Sequence, residues 1–480
     1  MPGSIGARAG RTNGSRGGYP TTGTVPQLRP GVPSPGIGIA VGGGNCEQLR
    51  APMSRPVSKH YPWLVVGMLW FICLFNYADR QAISAVFPAL KKEFGFTDTE
   101  LGGIGSAFGY VYGAGALFAG YIGDRVARRH LILGGCIFWS FVTMTTGWCS
   151  KAWQFVSVRA LEGLGETFYF PASMSLVSDY HSRHTRSRAM SIHQSSVYAG
   201  TILGSWVGAL LAEHWGWRWG FYLFGGGGLI LALVLYAFLR EPVRGASEGV
   251  VAETVEPPVP FVVAVRDVLS RPTAWVLMLV FVLANFVATI FLTWTPTFLV
   301  NKFNFKLAAA GLSGAAFIQI ASALAVPLAG YVADKLAARG PGGRITAQAG
   351  GLLLGAPFVF LVGSTTSVGA LLASMVVFGV CKGFYDAGIF ASLYDVVPPR
   401  SRATAAGLMN TVGWGLGSLG PLLTGWYSDH GPYGGKAENM SHFIAYSAAA
   451  YVVGGGLLLL AATRFIRRDF IVGGLKPAGP

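Results

Sequence analysis

Seven formally charged side chains interrupt long apolar segments of this chain, and they are the residues best able to do chemistry. They are Asp79, Arg80, Arg159, Glu162, Glu166, Lys382 and Asp386. If those segments cross a bilayer, each charge would cost about 3 kcal/mol in contact with lipid. We therefore expect the seven to face one another or a watery cavity inside the protein.

The spacing of the first five charges places them on two helical faces, because residues three, four and seven apart lie on one side of an α-helix. One face holds Asn76, Asp79 and Arg80, and the other holds Arg159, Glu162 and Glu166. The planar guanidinium of arginine matches a carboxylate or phosphate, and a buried carboxyl group can load and release a proton near neutral pH. This combination is the chemistry that a proton-coupled carrier of anions needs.

Two of these charge groups also have a simpler interpretation. Arg159 and Glu162 can neutralise each other and serve only to hold the helices together. Lys382 and Asp386, four residues apart, can form an ion pair within one helix. Their alternative role is a second coupling pair or a substrate clamp in the C-terminal half, and the spacing leaves both interpretations open.

The composition indicates what kind of protein carries these charges. Of the 480 residues, 52% are hydrophobic and 12% are charged, whereas about 25% are charged in a soluble domain. Too few polar side chains are present to cover a water-soluble enzyme of this length. At about 20 apolar residues for each membrane-spanning helix, the chain can form about twelve. The sequence therefore predicts an all-α membrane protein.

Apolar segments alternate with short polar loops from Tyr61 onward, and we place twelve spans among them. The predicted spans are 62–85, 101–122, 131–149, 153–178, 189–211, 219–239, 274–299, 309–333, 346–366, 368–394, 403–426 and 442–463. Gly120–Asp124 recurs as Gly330–Asp334, and Arg186–Ala189 recurs as Arg400–Ala403, in corresponding loops. The fold class is therefore twelve transmembrane helices in two six-helix repeats, an arrangement common among alternating-access carriers.

These segments also predict how the chain divides. Residues 1–60 are rich in Gly, Pro, Ser and Arg, and we expect a disordered cytoplasmic tail, unless translation starts at Met53. The remaining divisions are an N-terminal bundle at 61–240, a cytoplasmic linker at 241–272, a C-terminal bundle at 273–465 and a second tail at 466–480.

Lysine and arginine are distributed unequally between alternate loops, which predicts the orientation. One set of loops and the C-terminal tail together carry nineteen, and the opposite set carries seven. We expect the richer side and both termini to be cytoplasmic, in the inner membrane of a cell. The net charge of +15 is then explained by topology and requires no nucleic-acid partner.

Other classes of function lack their motifs in this sequence. The five cysteines have no zinc spacing, the histidines show no HExxH pattern, and no P-loop occurs. We therefore expect no cofactor, no metal and no enzymatic activity. The expected partners are a small organic anion, protons and the lipid bilayer, and we expect the chain to act as a monomer.

Residues 60–465 resemble the major facilitator superfamily. Gly120–Arg129, with the sequence GYIGDRVARR, is similar to that superfamily's signature in the loop between its second and third helices. The resemblance implies that Asp124 and Arg128 latch one conformation at the cytoplasmic face.

Within the superfamily, the chain is most similar to the anion:cation symporter family, which includes sugar-acid carriers. The motifs that carry this likeness are Asn76–Arg80, Arg159–Pro171, Trp294–Pro296 and Gly407–Gly413. The resemblance implies that Arg80 and Arg159 hold the substrate anion or pair with acids, that Asp79 and Glu166 carry protons, and that Tyr77, Tyr112, Gln194 and Asn410 contact hydroxyl groups.

Some features depart from that family's pattern. Glu162, Trp414 and the pair of Lys382 and Asp386 are not expected of a sugar-acid carrier. A weaker similarity connects the chain to Spinster-type carriers, through Asp79–Arg80, Gly163–Glu166 and Gly216–Arg218.

The sequence thus predicts a secondary active transporter, with proton-coupled symport of a small organic anion, a sugar acid or related carboxylate, by alternating access. The alternative is an exporter of lysolipid, sphingoid or drug-like amphiphiles, which would need a large apolar cavity. A third interpretation is a transporter-like receptor whose N-terminal tail binds a partner, and the composition of the tail gives it little support.

Overall fold

The computed structural model describes residues 60–242 and 260–471, and within them the side chains at 120, 121, 123–125, 183, 184 and 187 are not described. The predicted N-terminal tail, apart from His60, and the middle of the predicted linker therefore lie outside the described residues.

The described chain forms helices joined by short turns, because apolar runs without internal polar breaks favour a backbone that satisfies its own hydrogen bonds. The N-terminal half consists of α1 (Tyr61–Ala85), α2 (Phe87–Phe94), α3 (Asp98–Arg125), α4 (Arg128–Thr146), α5 (Ala152–Glu166), α6 (Tyr169–Tyr180), α7 (Arg183–His214) and α8 (Arg218–Phe238).

The C-terminal half follows a short linker helix, α9 (Phe261–Leu269). It consists of α10 (Pro272–Phe303), α11 (Leu307–Ala337), α12 (Gly343–Ser364), α13 (Val368–Asp386), α14 (Ile389–Val396), a 3₁₀ turn (Pro399–Ser401), α15 (Arg402–Gly417), α16 (Leu419–His430), α17 (Lys436–Tyr446), α18 (Ala448–Leu460), a π-helical turn (Ala461–Phe465) and α19 (Ile466–Asp469).

Four of the predicted spans are interrupted helices. α5 continues into α6, α13 into α14, α15 into α16, and α17 into α18 and α19, and the linking residues such as Thr167 and Ser418 keep right-handed helical angles. With these counted as single rods, the described chain has twelve rods, at the places of the twelve predicted spans. Eight of the twelve are long and apolar enough to cross a membrane by length and composition alone.

The bundle has two ends, which we name by the residues that lie there. The Asp98 end holds the start of α3 and the end of α16, and the Arg128 end holds the end of α3 and the start of α4. Five exposed tryptophans lie at the Asp98 end: Trp148, Trp153, Trp215, Trp219 and Trp426. Tryptophan is enriched where a helix meets the membrane surface, so this end lies at one face of the bilayer.

The outer faces of the rods are apolar, as contact with lipid requires. Side chains such as Phe118, Leu233, Leu324 and Leu354 are each at least 60% exposed. A soluble monomer rarely exposes so much contiguous apolar surface, and the pattern fits a multi-pass membrane protein.

Glycines let the rods approach closely where the two halves meet. A Cβ atom on Gly102 of α3 would lie 2.5 Å from the backbone oxygen of Pro421 in α16, and one on Gly113 would lie 2.7 Å from the backbone nitrogen of Gly415 in α15. Such contacts leave no space for a side chain. α3 therefore packs backbone to backbone against the other half.

The linker helix α9 belongs with the C-terminal half. Asp267 in α9 accepts hydrogen bonds from Arg400 Nη2 at 3.1 Å and from Ser401 Oγ at 2.9 Å. The sequence analysis did not predict a helix in this linker, because nine residues are too few to show a clear period.

Candidate functional site

The centre of the N-terminal half holds an ion pair between α1 and α5. Arg80 Nε donates a hydrogen bond to Glu166 Oε2 at 3.0 Å, and Arg80 Nη2 donates to the same oxygen. Nη2 also reaches Asn76 Oδ1 at 3.5 Å. The Glu166 side chain is fully buried and that of Arg80 is 12% exposed, so both charges are shielded from bulk water and lipid.

Aromatic rings surround the Arg80 guanidinium. Its central carbon lies 4.4 Å from the ring centre of Tyr77, 4.3 Å from that of Phe108 and 5.2 Å from that of Tyr112. The fourth ring, Trp414 at 5.9 Å, comes from α15 in the other half. The negative faces of such rings attract a cation, so they hold the guanidinium in place and bring the two halves together around it.

A second ion pair lies beside the first. Arg159 and Glu162 pair one turn apart on α5, and Arg159 Nη2 donates to the backbone oxygen of Arg80 at 3.3 Å. Arg159 and Arg80 stack against the same ring, because the guanidinium carbon of Arg159 lies 4.9 Å from the centre of Phe108. The sequence left open whether Arg159 and Glu162 neutralise each other, and the structure shows that they do form a pair.

Two carboxyl groups meet at one hydroxyl group. Thr143 Oγ1 lies 3.3 Å from Asp79 Oδ2 and 3.3 Å from Glu162 Oε1. A hydroxyl group has a single proton to donate, so both contacts are hydrogen bonds only when one of the two carboxyl groups carries a proton of its own. The arrangement is therefore complementary to a protonated acid.

The charges of the cluster do not balance by themselves. Two arginines, Arg80 and Arg159, face three acids, Asp79, Glu162 and Glu166. One bound proton would bring this cluster to neutrality. Among the described residues, several of its buried polar atoms have no hydrogen-bond partner: Asn76 Nδ2, Asp79 Oδ1, Arg80 Nη1, Arg159 Nε and Glu166 Oε1. The cluster can therefore accept further polar groups.

Not every residue predicted for the site lies in this cluster. Tyr77 and Tyr112 contact Arg80 as described, whereas Gln194 on α7 and Asn410 on α15 are half-buried and form no hydrogen bond to the cluster within the described chain. Asn410 lies one helical turn before Trp414, which places it on the same side of α15.

Lys382 and Asp386 form an ion pair within α13, as the simpler interpretation of their spacing predicted. Their side chains are 17% and 34% exposed, so the pair is less shielded than the charges of the N-terminal half.

Arg128, predicted as part of a latch, is buried at its end of the bundle. It donates to Asp179, to Ser175 Oγ at 2.9 Å and to Glu241 Oε1 at 2.9 Å. The side chain of Asp124, the other predicted latch residue, lies outside what the structure describes, so the latch itself stays a prediction.

The sequence analysis did not select Phe108 or Thr143 for the site, although both contact its charges. Phe108 lies four residues before Tyr112 and therefore shares its helical face, a signal that would have found it. Thr143 is one of several hydroxyl residues near the end of α4, and only its packing against Asp79 and Glu162 distinguishes it.

Hydrogen bonds join the two halves at the Asp98 end, and we call this contact the Asp98-end seal. Ser428 Oγ donates to Asp98 Oδ2 at 2.8 Å, and Thr99 N donates to Asp429 Oδ2 at 2.7 Å. Within the C-terminal half, Lys436 Nζ donates to Asp429 Oδ1 at 2.6 Å. Partial burial opposes ionisation of Asp429, but the hydrogen bonds from Lys436 and Thr99 prevail and lower its pKa to about 2. Asp429 thus stays ionised near neutral pH.

Comparison with known proteins agrees with this architecture. The model of the Major Facilitator Superfamily matches residues 69–421 and 320–472. The chain is 28% identical over 376 residues to the probable L-galactonate transporter of Escherichia coli, covering 75% of this chain and 82% of that protein. It is 28% identical over 431 residues to human protein spinster homolog 1, covering 85% and 81% of the two chains.

Solved structures show the same fold. A bacterial homologue of the human lysosomal transporter Spinster, in an inward-facing and unoccupied conformation, superposes with a TM-score of 0.76 at 22% identity, covering 87% of this chain and 100% of that one. The nucleoside transporter NupG superposes with a TM-score of 0.63 at 13% identity, covering 84% and 99%. The family match over nearly all the described helices, together with the twelve rods, shows that this chain belongs to the Major Facilitator Superfamily of membrane transporters.

Proposed function

We propose that the protein carries a small organic anion, a sugar acid or related carboxylate, together with a proton by alternating access. The single observation that supports this most strongly is the sheltered pair of Arg80 and Glu166. In this arrangement the Glu166 carboxylate is bound to the guanidinium group that an anionic substrate would need.

Competition for Arg80 would couple the proton to the anion. While Glu166 is ionised, it takes both the Nε and the Nη2 donors of Arg80. A proton on Glu166 removes its charge, and Arg80 then favours an incoming carboxylate. Its Nη1, which has no hydrogen-bond partner in the described part of the chain, can bind that carboxylate too. Coupling between two ligands is reciprocal, so the bound anion would equally favour protonation of Glu166.

The net charge of the cluster supports the same proposal. An anion that approached the unprotonated cluster would meet three acids and two arginines, and would add to a negative charge in a poorly solvated site. With a proton bound, the cluster is neutral and the anion is tolerated. Symport of one proton with each anion follows from this charge balance.

Access to the cluster would alternate between the two ends of the bundle. With the Asp98-end seal closed, the proton and the anion would exchange from the Arg128 end. The excess of Lys and Arg in the loops at that end predicts that it is cytoplasmic.

Uptake by purified protein in liposomes with an imposed pH gradient tests the proposal. L-galactonate is the first substrate to try, because a relative is named as its probable transporter. Arg80→Lys and Arg159→Ala should each reduce uptake by at least 100-fold. Arg218→Ala is the matched control, because Arg218 pairs with Glu93 at a 40% exposed position outside the cluster. Undiminished, gradient-driven uptake by both cluster variants would refute the proposal.

A second candidate function is export of anionic amphiphiles such as lysolipids. Two observations favour it. The ring cage of Tyr77, Phe108, Tyr112 and Trp414 is more apolar than a sugar-acid site requires. The chain is also similar to protein spinster homolog 1. A flux assay with fluorescent lysolipid in the same liposomes discriminates between the two.

A further inference from the structure

Asp79 is the one acid of the charged cluster that has no arginine partner among the described residues. The other two acids each pair with an arginine: Glu166 with Arg80 and Glu162 with Arg159. Asp79 is 2% exposed, and in the described chain its Oδ1 has no hydrogen-bond partner and its Oδ2 has one, Thr143 Oγ1. An ionised carboxylate there would be buried without the charged partner that normally compensates for the loss of water.

The contacts of Thr143 show where a proton completes the hydrogen bonding. Thr143 Oγ1 lies 3.3 Å from both Asp79 Oδ2 and Glu162 Oε1, and it can donate its single proton to only one of them. Glu162 is the acid that stays ionised, because its Oε2 accepts from Arg159 Nη1. The Thr143 hydroxyl therefore donates to Glu162 and accepts from Asp79, which requires a proton on Asp79.

The surroundings of Asp79 agree with a neutral side chain. The ionisable groups that act on it come from its own helix, from α4 and from α5, and they are Arg80, Cys136, Arg159, Glu162 and Glu166. Both arginines are already paired with the glutamates. α7 and α8 meet this part of α1 with glycines: Gly204 lies against Ala78, and Gly227 lies against Phe75. These contacts supply no further cation to offset a negative charge on Asp79.

We propose that Asp79 holds a resident proton, which it donates to Thr143 and keeps throughout the transport cycle, while Glu166 carries the proton that travels with the anion. A carboxyl group that its surroundings keep neutral can serve as a hydrogen-bond donor in this way. Thr143 is then a positioning residue, because it acts through Asp79 and Glu162. The assignment rests on the proposed function for the travelling proton, and it removes from Asp79 the carrying role that the resemblance implies.

The resident proton shifts the charge of every state in the proposed cycle. Two arginines and two ionised glutamates leave the cluster neutral before the anion arrives. The anion alone would make the cluster negative, and a proton on Glu166 restores neutrality. One proton then crosses with each anion, although the loaded cluster contains two.

Infrared spectroscopy of the purified protein at pH 8 tests for the resident proton, because a protonated carboxyl group has a C=O stretching band that a carboxylate lacks. We expect this band in the native protein and in Glu166→Gln, and we expect Asp79→Asn to lack it. Asp386→Asn, at a partly exposed position in the other half, is the matched control and should keep the band. Absence of the band from the native protein, or its persistence in Asp79→Asn, would overturn the inference.

Variants of Thr143 test the same hydrogen bond without changing Asp79. Thr143→Val removes the oxygen that accepts the Asp79 proton, so the C=O band should move to higher frequency, and Thr143→Ser should restore it. Thr145→Val is the control, because the Thr145 hydroxyl donates to the backbone oxygen of Val142 instead, and it should leave the band unchanged. An unchanged band in Thr143→Val would also overturn the inference, and this comparison decides the question if Asp79→Asn does not fold.

The charge that moves with each anion separates this inference from the proposed function. One proton with a monovalent anion carries no net charge, so uptake of L-galactonate into liposomes should not respond to an imposed membrane potential. Uptake driven by a negative interior would show that a second proton crosses and that Asp79 releases its own, which overturns the inference and leaves proton-coupled transport standing. If no acid is transported, the proposed function fails, and the infrared band still decides whether Asp79 holds a proton.

Discussion

The two halves of the molecule share a scaffold at the Arg128 end and differ at the centre. Arg128 pairs with Asp179 in the N-terminal half, and Arg344 pairs with Asp395 in the C-terminal half, where Arg344 Nη1 and Asp395 Oδ2 lie 2.9 Å apart. Both residues of the second pair lie 216 positions after those of the first. The duplication has therefore kept the contact that ties neighbouring rods together.

At the centre the halves have diverged in charge and in burial. The N-terminal half gathers five ionisable residues around Phe108 and Thr143, all of them shielded, whereas the equivalent region of the C-terminal half has Lys382 paired with Asp386, both of them partly exposed. A buried charge is costly to maintain, and only one half bears that cost. The comparison teaches that the buried ionisable residues on which the proposed proton chemistry depends lie in the N-terminal half.

The largest effect should follow from removing Arg80. In Arg80→Ala the buried carboxylate of Glu166 loses its partner, which costs about 3–5 kcal/mol of folding free energy, and uptake should fall to background. Chemical unfolding in detergent measures the folding free energy, and an uptake assay in liposomes measures transport. The double variant Arg80→Met/Glu166→Met should recover stability without recovering transport. A single variant as stable as the native protein would contradict the shielded pair.

The corresponding substitution in the other half should have a smaller effect. In Lys382→Met, Asp386 stays in contact with water, because its side chain is 34% exposed. The loss of folding free energy should therefore be about 1 kcal/mol. The same unfolding assay makes the comparison. A loss as large as that of Arg80→Ala would show that the two halves do not differ in the way proposed.

Neutralising Glu166 should separate exchange from accumulation. Glu166→Gln removes the competing charge, so the anion binds without a proton, and counterflow exchange continues while gradient-driven accumulation is lost. Asp386→Asn, the control in the other half, should keep both. Normal accumulation by Glu166→Gln would exclude Glu166 as the coupling site.

A smaller effect is expected where the halves touch through glycine. Gly102→Ala places a methyl group 2.5 Å from the backbone oxygen of Pro421 and should shift the population away from the closed Asp98-end seal. Its neighbour Gly103 meets only the end of the Leu422 side chain, at 4.0 Å, and Gly103→Ala is the control. Distances between spin labels on the two halves at the Asp98 end report the shift, and equal distances in both variants would contradict the tight contact.

The smallest effect concerns pH at the seal. Since the pKa of Asp429 is lowered from 3.8 to about 2, its stabilisation is present above pH 3.8 and is lost only as pH falls toward 2. In the Glu166→Gln variant, spin-label distances at the Asp98 end should therefore not change between pH 8 and 5. A change of the same size as in the native protein would place the proton-sensitive group at the seal instead of the cluster.

The sequence predicted the helices and the charged faces better than it predicted their partners. Twelve apolar segments were visible from composition and length, and the i, i+3 spacing of Arg159 and Glu162 predicted their shared face. Trp414 could only be noted as unusual, because its ring reaches Arg80 from a helix more than 300 residues further along the chain. The breaks between α5 and α6 and between α13 and α14 also carried no pattern in the sequence, since the linking residues remain helical.

The sequence by itself determined that this chain spans a membrane, that it is built from a repeated unit and that its few buried charges must find one another. These follow from composition and from the cost of a charge in lipid, which hold for any arrangement of the helices. Only the tertiary structure decided that Arg80 pairs with Glu166, that rings from both halves surround the Arg80 guanidinium, and that Lys382 pairs with Asp386 instead of joining a second acid cluster. The physical reason is that pairing depends on distances between separate helices, and packing sets those distances.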